Sequence, residues 1–196
     1  MSLRHYTADL HIGHEFVAKL RGFASAEQMD QQLIANWNAN VRPRDHVWVL
    51  GDVTAGGFND YHLSVLYQLN GTLHLVSGNH DKCHPLHRNG HGWIKRYAQV
   101  FETVQSVAEH RIDGRKVLLS HFPYSGDHTE ADRYEQWRLR DEGGYLLCGH
   151  VHAEWHTSPD GRTWNVGQDW HAEPVSEHAV KQWLFEQQFQ PVTEVS

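Results

Sequence analysis

Cysteine is nearly absent from the sequence, because the chain of 196 residues contains only Cys83 and Cys148. Two cysteines cannot form the disulfide framework of a small secreted domain, and their separation does not fit the CxxC pairs of a structural zinc site. We therefore expect the protein in the reducing cytoplasm. Cys148 ends an apolar run, which predicts a small core residue without a chemical role.

Basic residues are also scarce. Lysine and arginine together number 17, against 24 aspartates and glutamates, and the formal net charge is -7 at pH 7. A chain with this balance does not bind nucleic acid or acidic membranes through a broad basic face. We expect a small-molecule partner; a nucleic-acid partner is possible but is not favoured.

Long apolar runs are missing as well. Residues 1–5 lack the apolar centre of a signal peptide, and no stretch approaches the ~18 apolar residues of a membrane-spanning helix. We therefore expect no membrane association. With 39% hydrophobic residues and 8 tryptophans, the chain can bury a core, so residues 1–196 are expected to form one domain. The tail from about Gln187 is expected to be mobile.

The first half of the chain alternates strand and helix patterns. Apolar runs at residues 3–8, 47–50 and 73–76 predict strands. Between them, Ser25 begins a helix that runs to about Asn40 with a capping box at residues 25–28, and residues 61–67 have helical spacing. This alternation predicts parallel βαβ units, whose ligands gather at the carboxyl ends of the strands.

The second half has a different pattern. Asp113 and Gly114 separate apolar segments at 104–112 and 116–120, which predicts a hairpin and an antiparallel beginning. Further strands are predicted at 145–148 and, with a turn, at 164–167. Ser176 can cap a last helix over residues 177 to about 186.

Residue types that bind metals follow five of the apolar runs. Imidazole, carboxylate and amide ligands without thiolate favour Mn, Fe, Zn, Ni or Mg over a structural zinc. Seven ligands are too many for one tetrahedral ion and suit a pair, whose surplus positive charge would attract a phosphate. The residues at the strand ends are His80, which can exchange protons near neutral pH, and the seven expected ligands Asp9, His11, Asp52, Asn79, His121, His150 and His152.

The ordered blocks Asp9-x-His11, Gly51-Asp52, Gly78-Asn79-His80-Asp81, His121 and Gly149-His150-x-His152 resemble the calcineurin-like metallophosphoesterase superfamily over residues 9–152. The resemblance implies an α/β fold, a four-layer α/β/β/α sandwich with mixed sheets. It also implies two divalent ions per chain, with manganese favoured. Asp9, His11, Asp52 and His152 would hold one ion, and Asp52, Asn79, His121 and His150 the other.

The same resemblance implies that His80 is the catalytic histidine. It would assist the leaving group while a metal-bridging hydroxide attacks phosphorus. We add the hypothesis that the neighbouring Asp81 orients the ring of His80.

The substrate class is narrowed by one difference from the superfamily. Its protein phosphatases continue the second block as GDxxDRG, whereas residues 51–57 read GDVTAGG. The short chain looks more like small bacterial and phage phosphoesterases, which favours a phosphodiesterase. The alternatives are a phosphomonoesterase or a nuclease on the same centre, and a non-catalytic protein-binding scaffold, although no ligand is missing.

Several other residues have two interpretations. Arg21 and His14 are candidate substrate-binding residues, although a solvated Arg21 and a surface His14 are favoured. His84, His87 and His91 are expected at the surface. Residues 93–97 suggest base stacking beside basic groups, but a partly buried helix is favoured. Residues 125–142 are equally a lid over the site or a solvated charged helix.

Overall fold

The chain forms two mixed β-sheets with five α-helices within residues 2–187, which are the residues that the computed structural model describes. Except for Gln187, the predicted mobile tail lies outside the described residues. In these residues no helix is long and apolar enough to cross a membrane. The elements are β1 (Arg4–Thr7), α1 (Glu15–Leu20), α2 (Ala26–Asn40), β2 (His46–Val49), α3 (Asp60–Leu66), β3 (Thr72–Val76), α4 (Gly90–Tyr97), β4 (Phe101–Gln105), β5 (Val107–Ile112), β6 (Arg115–Ser120), β7 (Tyr145–Cys148), β8 (Thr163–Asn165), β9 (Val175–Ser176) and α5 (Glu177–Glu186).

The first sheet has the order β4-β3-β2-β1-β9. Its strands β1 to β4 are parallel, and β9 pairs antiparallel to β1. The second sheet has the order β5-β6-β7-β8, with β5 antiparallel to β6 and the other pairs parallel. Two mixed sheets with flanking helices confirm the predicted α/β class and the calcineurin-like fold.

Strand β2 shows why the first sheet is covered on both faces. Side chains alternate along a strand, so neighbours point to opposite sides. Val47 and Val49 pack in a cluster with residues of α2, α3 and α4. Trp48 and Leu50 pack in a second cluster with residues of β6, β7 and α5. The near-continuous apolar run is therefore a strand buried between helices and the other sheet.

Helix α2 begins as its sequence predicts, with one difference. The Ser25 side chain accepts a hydrogen bond from the Gln28 backbone N–H at 3.2 Å. The Gln28 side chain, however, accepts from the Ala24 N–H at 2.8 Å, one residue before the position of a regular capping box. Leu33 and Trp37 bury the apolar stripe of this helix.

The predicted strand at 104–112 is wrong in one respect, because it is divided between the two sheets. Strand β4 pairs parallel with β3 in the first sheet, and β5 begins after Ser106 and pairs with β6 in the second. The Asp113-Gly114 hairpin is confirmed. Beyond it the second sheet is parallel, so the antiparallel pattern is limited to its first pair.

The short elements α1 and β9 have no counterpart in the sequence predictions. Helix α4 includes the predicted helix at 93–97 and begins three residues before it, at Gly90. Most of its side chains are exposed, and Tyr97 is the large one that is buried.

Candidate metal centre

The polypeptide turns sharply after the strands that carry the predicted ligands. A positive φ is rare for residues other than glycine, and such strained conformations cluster at functional sites. Seven such residues occur in the described part of the chain, and five of them are predicted metal ligands. Their φ angles are 55° at Asp9, 48° at His11, 53° at Asp52, 72° at His150 and 46° at His152.

Glycines let these turns come together closely. A Cβ atom on Gly78 would lie 2.4 Å from Asp52 Oδ1, and one on Gly149 would lie 2.5 Å from Asp9 Oδ2. No side chain fits at such distances, so both positions require glycine. The two glycine-containing blocks are therefore needed to bring carboxylates from different strands to one place.

The first group of ligand atoms comes from Asp9, His11 and His152, whose nearest atoms lie within 4.8 Å of one another. Both ring nitrogens of His11 are buried and have no hydrogen-bond partner. Buried polar atoms normally have partners, so a ring with two unpaired nitrogens fits a metal ion bound through one of them. Burial and repulsion by His152 lower the pKa of His11 well below its usual value, which keeps the ring in the neutral, metal-binding form.

The second group surrounds the side-chain oxygen of Asn79. His121 Nε2 and His150 Nδ1 each lie 2.9 Å from Asn79 Oδ1. The other nitrogen of His121 donates to the Leu50 carbonyl oxygen at 2.8 Å, and the other nitrogen of His150 donates to Asp127 at 3.1 Å. A neutral imidazole has one N–H, so both nitrogens that face Asn79 carry lone pairs. Three acceptors that converge without a donor fit a cation.

Asp52 joins the two groups. Ligand atoms of Asp9, Asp52 and His121 lie within 4.8 Å of one another, and Asp52 Oδ2 is 3.5 Å from His121 Nε2. Burial, followed by repulsion from Asp9 and Asp81, raises the pKa of Asp52 well above its usual value. Buried carboxylates crowded in this way are stabilised by a divalent cation. The donor set and its charge thus fit divalent metal ions.

His80 is the accessible group beside this buried cluster. Its side chain is 45% exposed, whereas that of His121 is 0% exposed. His80 Nε2 lies 4.0 Å from Asp52 Oδ2. Burial and repulsion by His121 lower the pKa of His80 to about 4, so the ring of the free protein is neutral at pH 7.

Asp81 does not contact the ring of His80. Its two carboxylate oxygens accept hydrogen bonds from the backbone N–H groups of Gly78, Asp52 and Val53, at 2.8 to 3.1 Å. The hypothesis that Asp81 orients His80 is therefore corrected. The carboxylate instead ties the turn after β2 to the turn after β3, and so fixes the backbone of two ligand-bearing segments.

Arg21 is neither solvated nor open to a substrate. Its side chain is 11% exposed and forms two hydrogen bonds with the carboxylate of Asp169, both at 3.0 Å. It also donates to the carbonyl oxygens of Asp9 and Leu10. The solvated interpretation is wrong, and these contacts do not support a phosphate clamp. His14 lies at the edge of the site, with its ring 5.8 Å from that of His11.

The other predicted surface histidines have different environments. His84 is 2% exposed and its ring contacts Phe122 and Trp137, so the surface prediction is wrong for this residue. His87 Nε2 donates to the Asn79 carbonyl oxygen at 3.0 Å and supports that ligand segment. His91 is exposed, as expected.

The segment 125–142 is not a charged helix. Its one helical element is a 3₁₀ turn at Glu135–Trp137. Asp127 from this segment reaches His150, and Asp127, His128 and His150 form a third cluster of possible ligands. The sequence reasoning missed Asp127 and Asp169. Asp169 had a signal, because it follows the end of β8 and the turn at Gly167, as other site residues follow their strands.

A comparison with known families assigns the chain. Residues 6–174 match the model of the calcineurin-like phosphoesterase superfamily domain, so the chain belongs to this superfamily. The superfamily generally binds divalent metal ions, and the ligand clusters described above are the candidates in this chain. The protein is thus assigned to the phosphoesterase hydrolases.

The similar proteins come from phages and an archaeon. The chain is 42% identical to the gene 66 protein of Mycobacterium phage D29 over 176 residues, covering 85% of this chain and 88% of that protein. It is 40% identical to the gene 66 protein of Mycobacterium phage L5 over 163 residues, covering 78% and 79%. It is 28% identical to the uncharacterized protein MJ1445 of Methanocaldococcus jannaschii, covering 78% and 72%.

A solved structure supports the fold alone. The crystal structure of the protein of unknown function AQ665 from Aquifex aeolicus matches with a TM-score of 0.69 and 24% sequence identity. The match covers 93% of this chain and 99% of that chain.

Proposed function

We propose that this protein is a phosphodiesterase that uses two divalent metal ions. The observation that carries the proposal is the arrangement of acceptor atoms without donors. One group contains His11, whose two buried nitrogens have no partner and whose neutral ring offers one lone pair, and the other contains the lone pairs that face Asn79 Oδ1. Asp52 lies close to ligand atoms of both groups, where it could bind both ions. Asp9, His11, Asp52 and His152 would hold one ion, and Asp52, Asn79, His121 and His150 the other.

The charge of the site suits a phosphate ester. Two bound divalent ions would neutralise phosphoryl oxygens and lower the pKa of water to near neutral. Asp9 and Asp52 offset two of the four positive charges, which leaves an attraction for an anion. The ligands combine imidazole, carboxylate and amide oxygen without thiolate, which suits Mn, Fe, Zn, Ni or Mg. Among these, manganese is the ion that the resemblance to the superfamily favours.

A diester fits better than a monoester at this site. A monoester carries two negative charges at neutral pH and a diester one, so a monoesterase gains more from an additional cation. The guanidinium of Arg21, a candidate for contact with phosphate, is bound to Asp169 and to the backbone. Without that additional cation, the singly charged diester is favoured over the doubly charged monoester.

His80 would assist the departing alkoxide. Its ring is accessible to a bound ester and is not needed as a ligand. With a pKa of about 4 in the free protein, an imidazolium requires that the phosphate raise the pKa, as a nearby anion does. His80 would then hold a proton at Nε2 and donate it to the leaving oxygen.

Hydrolysis of bis(p-nitrophenyl) phosphate and of p-nitrophenyl phosphate, with and without added Mn²⁺, tests this proposal. We expect the metal-loaded protein to prefer the diester, the metal-free protein to be inactive, and Asp52→Asn to abolish activity. Asp141→Asn is the matched control, because it removes a carboxylate bound to Arg162 at the surface. A preference for the monoester would establish the phosphomonoesterase alternative, and full activity without metal would contradict the metal centre itself.

A further inference from the structure

Each of the two histidines that follow β7 donates a hydrogen bond to an aspartate, and each of these aspartates is paired with an arginine. His150 Nε2 donates to Asp127 Oδ2 at 3.1 Å, and His152 Nδ1 donates to Asp169 Oδ2 at 2.8 Å. Both carboxylates come from segments outside the ordered blocks of the sequence that resemble the superfamily. They contact opposite nitrogens of the two rings.

The Asp127 carboxylate accepts hydrogen bonds from Arg133 as well as from His150. Its side chain is 0% exposed. Arg133 Nε and its terminal nitrogen donate to the two carboxylate oxygens at 3.1 and 2.8 Å, and the Arg133 backbone N–H adds a third bond at 3.2 Å. Such a two-point contact fixes both the position and the ionised state of the carboxylate.

The Asp169 carboxylate is held in the same way. Arg21 Nε and its terminal nitrogen donate to the two oxygens, each at 3.0 Å. The same terminal nitrogen also donates to the Asp9 carbonyl oxygen at 2.8 Å. Arg21 therefore connects the carboxylate behind His152 with the backbone of a second predicted ligand of the same ion.

A third metal site at Asp127, His128 and His150 is the competing interpretation of the first contact. The cations and hydrogen bonds already present argue against it. Arg133 donates to the Asp127 carboxylate and also contacts His128 Nε2 at 3.2 Å. The other ring nitrogen of His128, Nδ1, donates to the His150 carbonyl oxygen. A guanidinium at this point would repel a further cation.

We propose that Asp127 and Asp169 are positioning residues that select the ring tautomers of His150 and His152. Asp127 holds the His150 proton on Nε2, which leaves Nδ1 to face Asn79. Asp169 holds the His152 proton on Nδ1, which leaves Nε2 for the ion held with Asp9 and His11. Arg133 and Arg21 fix the two carboxylates. This inference rests on the proposed function, because it takes both histidines as ligands.

Replacing Asp127 or Asp169 with asparagine would remove this control of the histidine tautomer. The amide has one acceptor oxygen and one NH₂ group, so it faces either the arginine or the histidine with donors. In both orientations the ring N–H loses its ionised acceptor, and the other tautomer gains population. Loss of such partners of metal-bound histidines typically weakens metal affinity by ~10- to 100-fold.

Two measurements test the proposal. The first is ¹⁵N NMR of the histidine rings in the metal-free protein, at a pH high enough for the rings to be neutral, which reads each tautomer without any metal. The second is the Mn²⁺ affinity, measured by competition with a chelator. We expect Asp127→Asn to change the tautomer of His150, Asp169→Asn to change that of His152, and each to weaken Mn²⁺ binding by ~10- to 100-fold.

Asp141→Asn is the matched control, because Asp141 also forms a two-point contact with an arginine, Arg162, but lies beside no histidine ligand. The melting temperature of each metal-free variant checks folding. If Asp127→Asn does not fold, Arg133→Lys tests the same contact, since lysine keeps the charge and loses the two-point geometry. It should weaken Mn²⁺ binding severalfold.

The outcomes separate the two proposals. Unchanged tautomers and unchanged Mn²⁺ affinity in the folded variants would overturn this inference and leave the proposed function intact. A wild-type protein that binds no divalent ion would overturn the proposed function. A third Mn²⁺ ion that is lost in Asp127→Asn would overturn the inference in favour of the competing metal site.

Discussion

At the scale of single residues, the histidines of the site differ because their ring nitrogens have different partners. His11 is buried with no partner on either nitrogen, and His121 uses one nitrogen for the Leu50 carbonyl oxygen. The His80 side chain is 45% exposed, and its ring lies 4.0 Å from Asp52 Oδ2 without a hydrogen bond. The backbone N–H of His80 donates to Asp52 Oδ1 at 2.9 Å. Buried rings with free lone pairs suit metal binding, whereas an accessible ring suits proton transfer to a substrate.

This difference predicts the behaviour of His80→Ala. The variant should keep both metal ions, since His80 is not among the proposed ligands. For a diester with an alkoxide leaving group, its rate should fall by ~10²- to 10⁴-fold, the usual contribution of a general acid. For nitrophenyl esters the loss should be much smaller, because nitrophenolate departs without a proton.

Steady-state rates on both ester types, together with elemental analysis of the variant, check this prediction. His14→Ala is a suitable comparison, because His14 is another histidine at the edge of the site. A His80→Ala protein that lacks a metal ion would show that His80 is a ligand. Equal losses on both ester types would show that it does not protonate the leaving group.

At the scale of secondary-structure elements, the strands could be predicted and their division between sheets could not. Alternating or continuous apolar residues identify β1, β2, β3, β6 and β7, and the residues after them could be predicted as site residues for that reason. The apolar pattern continues through Ser106, where the chain passes from one sheet to the other. Helix α1 has six residues, which is too few for a periodic pattern.

One buried carboxylate connects the ends of β1 and β2 that lie away from the site. Asp45 is 0% exposed and accepts hydrogen bonds from the Leu3 N–H at 2.9 Å and from the Arg42 N–H at 3.0 Å. Hydrogen bonds from the Arg42 side chain outweigh burial and hold the pKa of Asp45 well below its usual range. Its carboxylate thus connects the start of β1 with the turn before β2.

The lowered pKa gives this contact a defined pH dependence. A carboxylate with a depressed pKa in the folded state contributes stability above its unfolded pKa of ~3.9 and loses it as the pH falls toward the folded value. Asp45→Asn should destabilise the protein at pH 7 by ~1–3 kcal/mol, because buried donors lose their acceptor. The difference in the free energy of unfolding between Asp45→Asn and the wild type should become smaller at acidic pH.

Urea unfolding at pH 7 and at several lower pH values checks this prediction. Asp141→Asn should have a much smaller effect, because the Asp141 side chain is 40% exposed and its pair with Arg162 is screened by solvent. A destabilisation of Asp45→Asn that does not change with pH would argue against an ionised Asp45 as its source.

At the scale of the whole molecule, the centre depends on two sheets. Parallel strands β1, β2 and β3 deliver Asp9, Asp52 and Asn79 from the first sheet, and β6 and β7 deliver His121 and His150 from the second. Because the ligands of each proposed ion come from both sheets, the packing between the sheets sets their distances. A metal ion that binds only this arrangement also stabilises the fold.

The sequence could therefore indicate the proposed ligands, but not the contacts that fix their positions. The ligands follow apolar strands and match ordered blocks, whereas Asp127 and Arg133 lie in a charged segment without periodic structure. The contact of Asp81 with three backbone N–H groups depends on how two turns approach each other. Such contacts between distant segments leave no pattern in the local sequence.

The most direct test of the account is the number of metal ions per chain. Elemental analysis of protein saturated with Mn²⁺ and freed of excess should give about two ions per chain for the wild type, as in two-metal sites. Asp52→Asn should lose more metal than Asp9→Asn, because Asp52 serves both groups of ligands and Asp9 one. A wild-type chain that holds a single ion, or equal loss of one ion in the two variants, would contradict a centre shared through Asp52.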